Sequence, residues 1–390
     1  MTHGFTALLG VGLAAAAAGY ACFAVYAVLR GVRRASAAAL WRYRQGGPPT
    51  AGLRPVSVLK PLCGAEPRLY ENLRSFCEQK YSPTYQLVFG VREAMDPAIA
   101  VVERLRREFP GLDIQLVVDP TIHGANLKVS NLVNILPRAG HDWLVLADSD
   151  IAVPSDYLAR VVAPLADPGV GVVTCLYRGI PVGTFWSRLG ALFIDEWFAP
   201  SVQVVHSMGS QRFAFGSTIA LRRETLKGAG GFEALRDTLA DDFWLGELTR
   251  QRGLRTVLSD VVVNTDVTDS SLRSLWLHEV RWLRTIRALE RAGFAFTFVT
   301  FTFPLLALGL VLSPHLATVA VALPGVAARL VIHYLQRQSR RDSRSPYEVM
   351  LTPLRDILLL AEWAVALTGW RVRWQNQVMH ASGTPAGSQP

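Results

Sequence analysis

Two carboxylates separated by one residue close the segment Trp143-Leu-Val-Leu-Ala-Asp148-Ser149-Asp150. The run before them is apolar enough for a buried strand, so Asp148 and Asp150 fall where that strand ends. Hard divalent cations such as Mg²⁺ and Mn²⁺ take oxygen ligands, commonly one or two carboxylates plus substrate phosphates. Asp148 and Asp150 are therefore candidate metal ligands, suited to holding a cation against a diphosphate while a nucleotide departs. The spacing alone recurs by chance in loops, and the strand before it is what gives it weight. A second acidic pair lies in Leu239-Ala-Asp241-Asp242-Phe-Trp244. Attack by a hydroxyl needs a base, and adjacent acids in apolar surroundings raise each other's pKa. Asp242, with Asp241 beside it, is the candidate base. The alternative is that one of them caps a helix running to Gln251, and both roles can coexist. A third feature is Trp276-Leu-His278-Glu279-Val-Arg281-Trp282-Leu-Arg284-Thr-Ile-Arg287. Helical spacing puts Leu275, Trp282 and Ile286 on one face and the arginines elsewhere, as in a helix lying in a membrane interface. A sharper reading gives Arg281 to a diphosphate and Trp282 to an acceptor pocket.

These groups need a frame. Val56–Leu59, Tyr85–Val91, Ile114–Val118 and Trp143–Ala147 each read as a short strand bounded by turn signals. Pro67–Glu78 and Pro97–Glu108 between them carry helical spacing, with Pro at or near the first turn. Strand and helix alternating in this way predict an α/β domain over about 53–270, a parallel sheet wrapped by helices. Ligands of such sheets bind beyond the carboxyl ends of the strands. Cys22, Cys63, Cys77 and Cys175 form no CxxC or Cys/His metal spacing and read as buried thiols in a reducing compartment.

The ends of the chain have a different character. Half of the 390 residues are hydrophobic, and the surplus collects at the two ends. Phe5–Leu29 is uncharged and long enough to cross a membrane. Arg30, Arg33 and Arg34 follow it, whereas a signal peptide places positive charge before its apolar run. Residues 1–34 therefore read as a retained anchor with the following domain cytoplasmic. Residues 271–292 make the interface helix, and 293–376 supply C-terminal membrane helices, with Phe294–Leu312 and His315–Leu335 as spans. The basic loop Arg337, Arg340, Arg341 and Arg344 agrees with the same orientation. Leu351–Trp370 carries Arg355, Asp356 and Glu362, so a span and a re-entrant helix both remain open. The tail, 377–390, is expected to be disordered. A net charge of +9 suits an anionic membrane surface or a phosphorylated substrate. The arginines cluster at membrane borders, which argues against a nucleic-acid partner.

Taken together and in this order, these motifs resemble the ceramide glucosyltransferase family and its bacterial relatives, from about Pro55 to Arg287. Val56-Ser-Val-Leu-Lys60-Pro-Leu-Cys-Gly64 is similar to that family's opening strand and loop. Arg92-Glu93-Ala-Met-Asp96 stands at its first acidic motif, with Glu93 where Asp is more usual. Asn126-Leu-Lys128-Val-Ser-Asn131-Leu132 resembles its N-P-K-I-N-N-L segment. Asp148-Ser149-Asp150 matches its metal motif, Asp241-Asp242 its acidic pair, and His278-Glu-Val-Arg281-Trp282 its (Q/R)xxRW. Trp197-Phe198-Ala199-Pro200 stands at its S-H-P segment without the His.

The resemblance implies a nucleotide-diphospho-sugar transferase (GT-A, Rossmann-like) fold and inversion at the anomeric carbon. It implies Asp242 as base, and donor contacts from Lys60, Glu93, Asp96, Lys128, Asp148, Arg281 and Trp282. Mg²⁺ or Mn²⁺ with a UDP-sugar, and a lipid acceptor, follow from the same likeness. The wording of 189–200 and 239–250 is similar to bacterial transferases of hopanoid biosynthesis, which points to a hopanoid polyol first and ceramide second. The expected place is the bacterial inner membrane, multi-pass, with the catalytic domain in the cytoplasm. Two rival readings are a processive polysaccharide synthase and a non-catalytic membrane protein that binds sugar nucleotides.

Overall fold

The computed structural model describes residues 2–47, 52–340, 346–374, 377–380 and 385. They form two compact units. One is an α/β unit of Ala35–Ile180, Ser210–Asp266 and Arg371–Pro390, and the other a helical unit of Met1–Arg34, Pro181–Gly209 and Val267–Trp370. The expected domain over 53–270 is thus interrupted, because residues 181–209 leave it to become helical.

The α/β unit is built on eight strands: β1 (Val56–Pro61), β2 (Tyr85–Val91), β3 (Asp113–Val118), β4 (Trp143–Leu146), β5 (Ile151–Ala152), β6 (Val170–Pro181), β7 (Ile219–Arg222) and β8 (Arg255–Val267). Their order across the sheet is β3-β2-β1-β4-β7-β6-β8-β5. The half made of β3, β2, β1 and β4 is parallel, as the strand–helix alternation predicts. The other half is not: β7 runs antiparallel to β4 and to β6, and β5 antiparallel to β8. Antiparallel neighbours need no crossover helix, so the alternating pattern that marks a parallel sheet is missing beyond β4. Successive residues of the central strands face opposite layers. Val58, Leu87 and Val145 pack with Phe76 and Tyr157 on one face. Leu59, Val88 and Leu144 pack with Leu132 and Leu221 on the other. With both faces covered, these strands read as nearly unbroken apolar runs. The expected helices are observed at Leu69–Cys77 and Ala98–Glu108.

In the helical unit the N-terminal helix runs unbroken from Thr2 to Arg44, well past the expected apolar core of the anchor, its last residues lying in the α/β unit. Among the described residues, two helices are long and apolar enough to cross a membrane, Gly4–Arg44 and Leu316–Gln338. Phe294–Leu312, expected as one span, is divided into Arg291–Ala295, a 3-10 turn at Thr297–Thr300 and a helix at Thr302–Leu312. Pro304 lacks an N–H and is tolerated only in a first turn, which restarts the helix at Thr302. The resulting eleven residues rise about 17 Å, short of a hydrocarbon core of about 30 Å. This short helix packs closely on the first: a Cβ built on Gly10 would lie 2.7 Å from the Gly309 carbonyl oxygen. Such approaches are how small residues join helices in a membrane.

The charges of Leu351–Trp370 are resolved by pairing. Thr352–Ala366 is helical, with Arg355, Asp356 and Glu362 all buried. Asp356 meets Arg329 at 2.6 Å, and Arg329 also lies 3.2 Å from Glu196. Glu196 sits in a π-helical turn, Ile194–Phe198, between helices Phe185–Phe193 and Ala199–Ser207. Pro200 follows, and a proline cannot donate to the carbonyl four residues back. That carbonyl belongs to Glu196, and it accepts from Arg329 instead at 3.3 Å.

The helix expected over 271–292 is observed at Leu272–Leu289, started by a capping box at Ser271 and Ser274. Its buried side chains are Leu275, Glu279, Val280, Leu283 and Arg287. This corrects the expected Leu275/Trp282/Ile286 face: the inward stripe carries two charges, both with partners inside the unit. Two of the four cysteines, Cys22 and Cys63, are exposed and not buried as expected, and all four are free thiols. Gln377–His380 pairs with Arg371–Trp374 as a hairpin, so the tail expected to be disordered from 377 begins as a strand. Arg341, Arg344 and residues 381–384 and 386–390 lie outside the described residues.

Candidate active site

The site gathers at the carboxyl end of the parallel strands. Lys60 ends β1 fully buried, its Nζ donating to the Asp148 carbonyl at 2.7 Å and lying 3.8 Å over the Phe76 ring. Burial pulls its pKa down to about 7. The structure therefore ties Lys60 to the backbone of the Asp148–Asp150 loop. After β2, Glu93 is exposed and loosely paired with Arg92 at 3.8 Å. Asp96 is occupied by backbone: its carboxylate accepts from Gly64 N at 3.0 Å and Ala98 N at 2.9 Å. Asp96 thereby ties the loops after β1 and β2 together.

Asn126 caps the helix Leu127–Ile135, accepting from Val129 N, and donates to Asp241 at 3.3 Å. Lys128, the second residue of that helix, reaches two acids at once: Asp148 Oδ1 at 2.7 Å and Asp241 Oδ2 at 3.4 Å. Burial opposes its charge, yet Asp148, Asp241 and Asp242 together hold it protonated well above the usual lysine range.

Asp148 and Asp150 follow β4 directly. Asp150 accepts from Thr265 Oγ1 at 2.6 Å. Burial, then Asp148 and Glu66, push its carboxyl up to about 7. Glu66, in the loop after β1, accepts from Ser149 Oγ at 3.1 Å, and its Oε2 is buried with no hydrogen-bond partner. Its own pKa is raised, chiefly by burial. Beside the Lys128-paired Asp148, Asp150 and Glu66 thus have only hydroxyl partners among the described residues, and a divalent cation would supply the missing charge compensation. No group of three or more His, Cys, Asp or Glu forms a ready metal cage among the described residues. A two-carboxylate site completed by substrate phosphates needs none. Asp148 and Asp150 would be its protein ligands.

The second acidic pair opens the helix Asp241–Gln251. Neither acid is the cap: Ala240 occupies that position and the two acids fall in the first turn, where the helix dipole favours negative charge. Asp242 accepts from Phe243 N at 2.8 Å and Gly216 N at 2.9 Å. Burial, then Asp241, raise it to about 6. The Gly216 carbonyl in turn accepts from Asp148 N at 3.3 Å. One peptide segment therefore joins the metal motif to the candidate base. A Cβ at Gly216 would lie 2.7 Å from Asp148 Oδ2 and 3.0 Å from Lys128 Nζ, so a larger residue there would push the ends of both side chains aside. Tyr177 also belongs to this neighbourhood: burial raises its phenol, with Asp242, Asp150 and Asp148 adding to the effect.

The α/β unit thus brings together Lys60, Lys128, Asp148, Asp150, Asp241 and Asp242, with Glu93 and Asp96 on the loop after β2. Arg281 and Trp282 belong to the helical unit. There the Trp282 ring meets His278 at 4.9 Å and Phe193 at 5.6 Å, both edge-on. His278 Nδ1 lies 3.2 Å from Asp269. Burial lowers Arg281 to about 10. Sequence reasoning missed Glu66, Gly216, Tyr177 and Thr265. Glu66 was within reach of the rule that residues just after strands bind ligands, since it follows β1. Gly216 and Tyr177 acquire meaning only when β6 and β7 are paired, and Thr265 only when β8 is placed beside β5.

Ceramide glucosyltransferase 3 of Caenorhabditis elegans is 25% identical over 233 residues, 59% of this chain and 50% of that protein. Beta-monoglucosyldiacylglycerol synthase of Synechocystis sp. is 28% identical over 195 residues, 48% of this chain and 38% of that protein. The chain thus spans about half the length, or less, of these curated relatives. A mannosyltransferase structure from Pyrobaculum calidifontis, in complex with GDP-Man and Mn²⁺, is similar at a TM-score of 0.49 and 23% identity, covering 91% of this chain and 99% of that one. The model of glycosyl transferase family 21 matches residues 14–386. With nearly its whole length matched by that model, the chain belongs to glycosyl transferase family 21.

Proposed function

We propose that the protein transfers a hexose, glucose or N-acetylglucosamine, from a UDP-sugar to a lipid hydroxyl, with inversion at the anomeric carbon. A hopanoid polyol is the leading acceptor and ceramide the second. The observation that carries this reading is the Gly216 bridge, which holds the Asp242 carboxylate beside the Asp148–Asp150 loop. A single displacement needs a base on one side of the anomeric carbon and charge compensation for the leaving diphosphate on the other. Asp242 takes the proton of the attacking hydroxyl as its oxygen bonds to the anomeric carbon and the bond to the UDP oxygen breaks. A divalent cation at Asp148 and Asp150 would supply charge compensation for the departing diphosphate. Lys128 keeps Asp148 and Asp241 aligned through its two contacts. Lys60 ties down the backbone of the loop. Glu93 is free to meet the nucleoside, and Arg281 and Trp282 serve the leaving group and the acceptor. Relatives named for ceramide and for glucosyldiacylglycerol support a lipid acceptor. The arginines that follow the apolar run Phe5–Leu29 support a cytoplasmic α/β unit in a bacterial inner-membrane protein.

The test is direct. Purified protein in detergent is incubated with UDP-glucose or UDP-N-acetylglucosamine, Mg²⁺ or Mn²⁺, and a hopanoid polyol or ceramide, and the lipid extract is read by mass spectrometry. A hexose-shifted lipid that disappears with Asp242→Asn supports the assignment. Equal release of UDP by both proteins would remove Asp242 as the base. No product with any pair would remove the lipid acceptors named here.

A further inference from the structure

The inward stripe of the Leu272–Leu289 helix contains a buried acid, and its partner lies about 75 residues further along the chain. Arg355 is fully buried. Its Nη2 lies 2.7 Å from Glu279 Oε2 and 2.6 Å from Glu362 Oε2, and its Nη1 donates to Glu279 Oε1 at 3.1 Å. The guanidinium also lies 5.7 Å over the Phe193 ring. Apolar contacts alone allow a helix to roll, whereas a forked guanidinium held by two carboxylates fixes direction as well as distance.

Glu279 stands two residues before Arg281 and three before Trp282. At about 100° per residue, Arg281 projects about 200° from Glu279 and Trp282 about 60° from it on the other side. Pinning Glu279 inward therefore sets where both side chains point. A roll of about 20° would move a tip about 6 Å from the axis by about 2 Å. A misplacement of about 1 Å is enough to cost a reaction about a hundredfold.

We propose that Arg355 is a positioning residue for the transfer: by clamping Glu279 to Glu362 it sets the rotation of the helix that carries Arg281 and Trp282. The proposal rests on the transferase reading and on the part it gives those two residues. The structure supplies its own control. Asp356, the next residue, anchors the same Thr352–Ala366 helix to Arg329 and makes no ion pair with the Leu272–Leu289 helix among the described residues. Loss of Arg355 therefore removes the pin at Glu279, next to Arg281 and Trp282, leaving that helix with Arg287 on Gly369 and Trp370 at its far end, while Asp356 still holds its own.

The experiment compares kcat/KM, melting temperature and hydrogen–deuterium exchange for the wild type, Arg355→Lys, Asp356→Asn, Trp282→Phe and the double variant Arg355→Lys/Trp282→Phe in detergent. Lysine keeps the charge and loses the fork. Arg355→Lys is expected to lower kcat/KM about tenfold or more, with most of that loss absent in the Trp282→Phe background. Asp356→Asn is expected to lower the melting temperature at least as much while leaving kcat/KM within about twofold. Independent, multiplying losses from Arg355→Lys and Trp282→Phe, or equal losses of activity from Arg355→Lys and Asp356→Asn, would reduce Arg355 to a stability anchor and overturn the proposal. If the wild type turns over no donor–lipid pair, the transferase reading fails separately, and exchange still judges the clamp. Faster exchange in Arg355→Lys confined to 272–289 supports it, and unchanged exchange there rejects it.

Discussion

Asp242 accepts two backbone N–H bonds, which favour its charged form, yet burial and Asp241 still raise it to about 6. A general base works deprotonated, so kcat/KM should climb with pH through about 6 and fall about tenfold per unit below it. Asp242→Asn should remove the limb along with about 10²- to 10⁴-fold of the rate; a wild-type profile flat from pH 5 to 8 would count against the base. Gly216 is the sharper probe of the geometry. Gly216→Ala forces a methyl to 2.7 Å from Asp148 Oδ2, so turnover should drop by about a hundredfold while the melting temperature shifts little. Normal kinetics in that variant would mean that the bridge is incidental. Chelation by EDTA should stop transfer, and added Mg²⁺ or Mn²⁺ should restore it, if Asp148 and Asp150 act through a cation. Asp148 and Asp150 were legible because two acids after an apolar strand are conspicuous. Glu66 was not, because a lone acid before Pro67 has no pattern until Ser149 is folded against it.

At the scale of elements, strand ends were readable and helix faces less so. β2 spans the residues expected for it, and β1 and β4 differ by only one or two residues at their ends. The Leu272–Leu289 helix was placed correctly but assigned the wrong face, because an apolar-moment argument assumes that charges turn outward. Glu279 and Arg287 turn inward, Glu279 to Arg355 and Arg287 onto the Trp370 ring at 4.0 Å and the Gly369 carbonyl. The same pairing explains Asp356. Asp356→Ala leaves Arg329 with Glu196 as its remaining ion-pair partner among the described residues, and breaking a buried pair typically costs about 3–5 kcal/mol. The variant should melt clearly earlier in detergent; an unchanged melting temperature would show that the pair is not stabilising.

Across the whole molecule, an exposed Cys63 in the α/β unit and an exposed Cys22 in the first helix give a handle on orientation. In a Cys22→Ser background, a membrane-impermeant maleimide should label Cys63 in inverted vesicles and spare it in intact cells. Labelling in intact cells instead would reverse the proposed orientation. Composition and order alone determined an apolar first helix, a run of parallel strands with acids at their carboxyl ends, and a basic, tryptophan-bearing helix before further apolar segments. Each of these is a local property, written in periodicity or in a short motif. The tertiary structure decided what depends on residues far apart in the chain. It turned half of the sheet antiparallel, moved 181–209 out of the α/β unit, and broke the expected span at 294–312. It also tied the buried Lys60 to the backbone of the Asp148 loop and set Gly216 between Asp148 and Asp242. The physical reason is that pairing partners of buried charges and of strand edges are chosen by desolvation and geometry in three dimensions, and neither leaves a periodic mark on the chain.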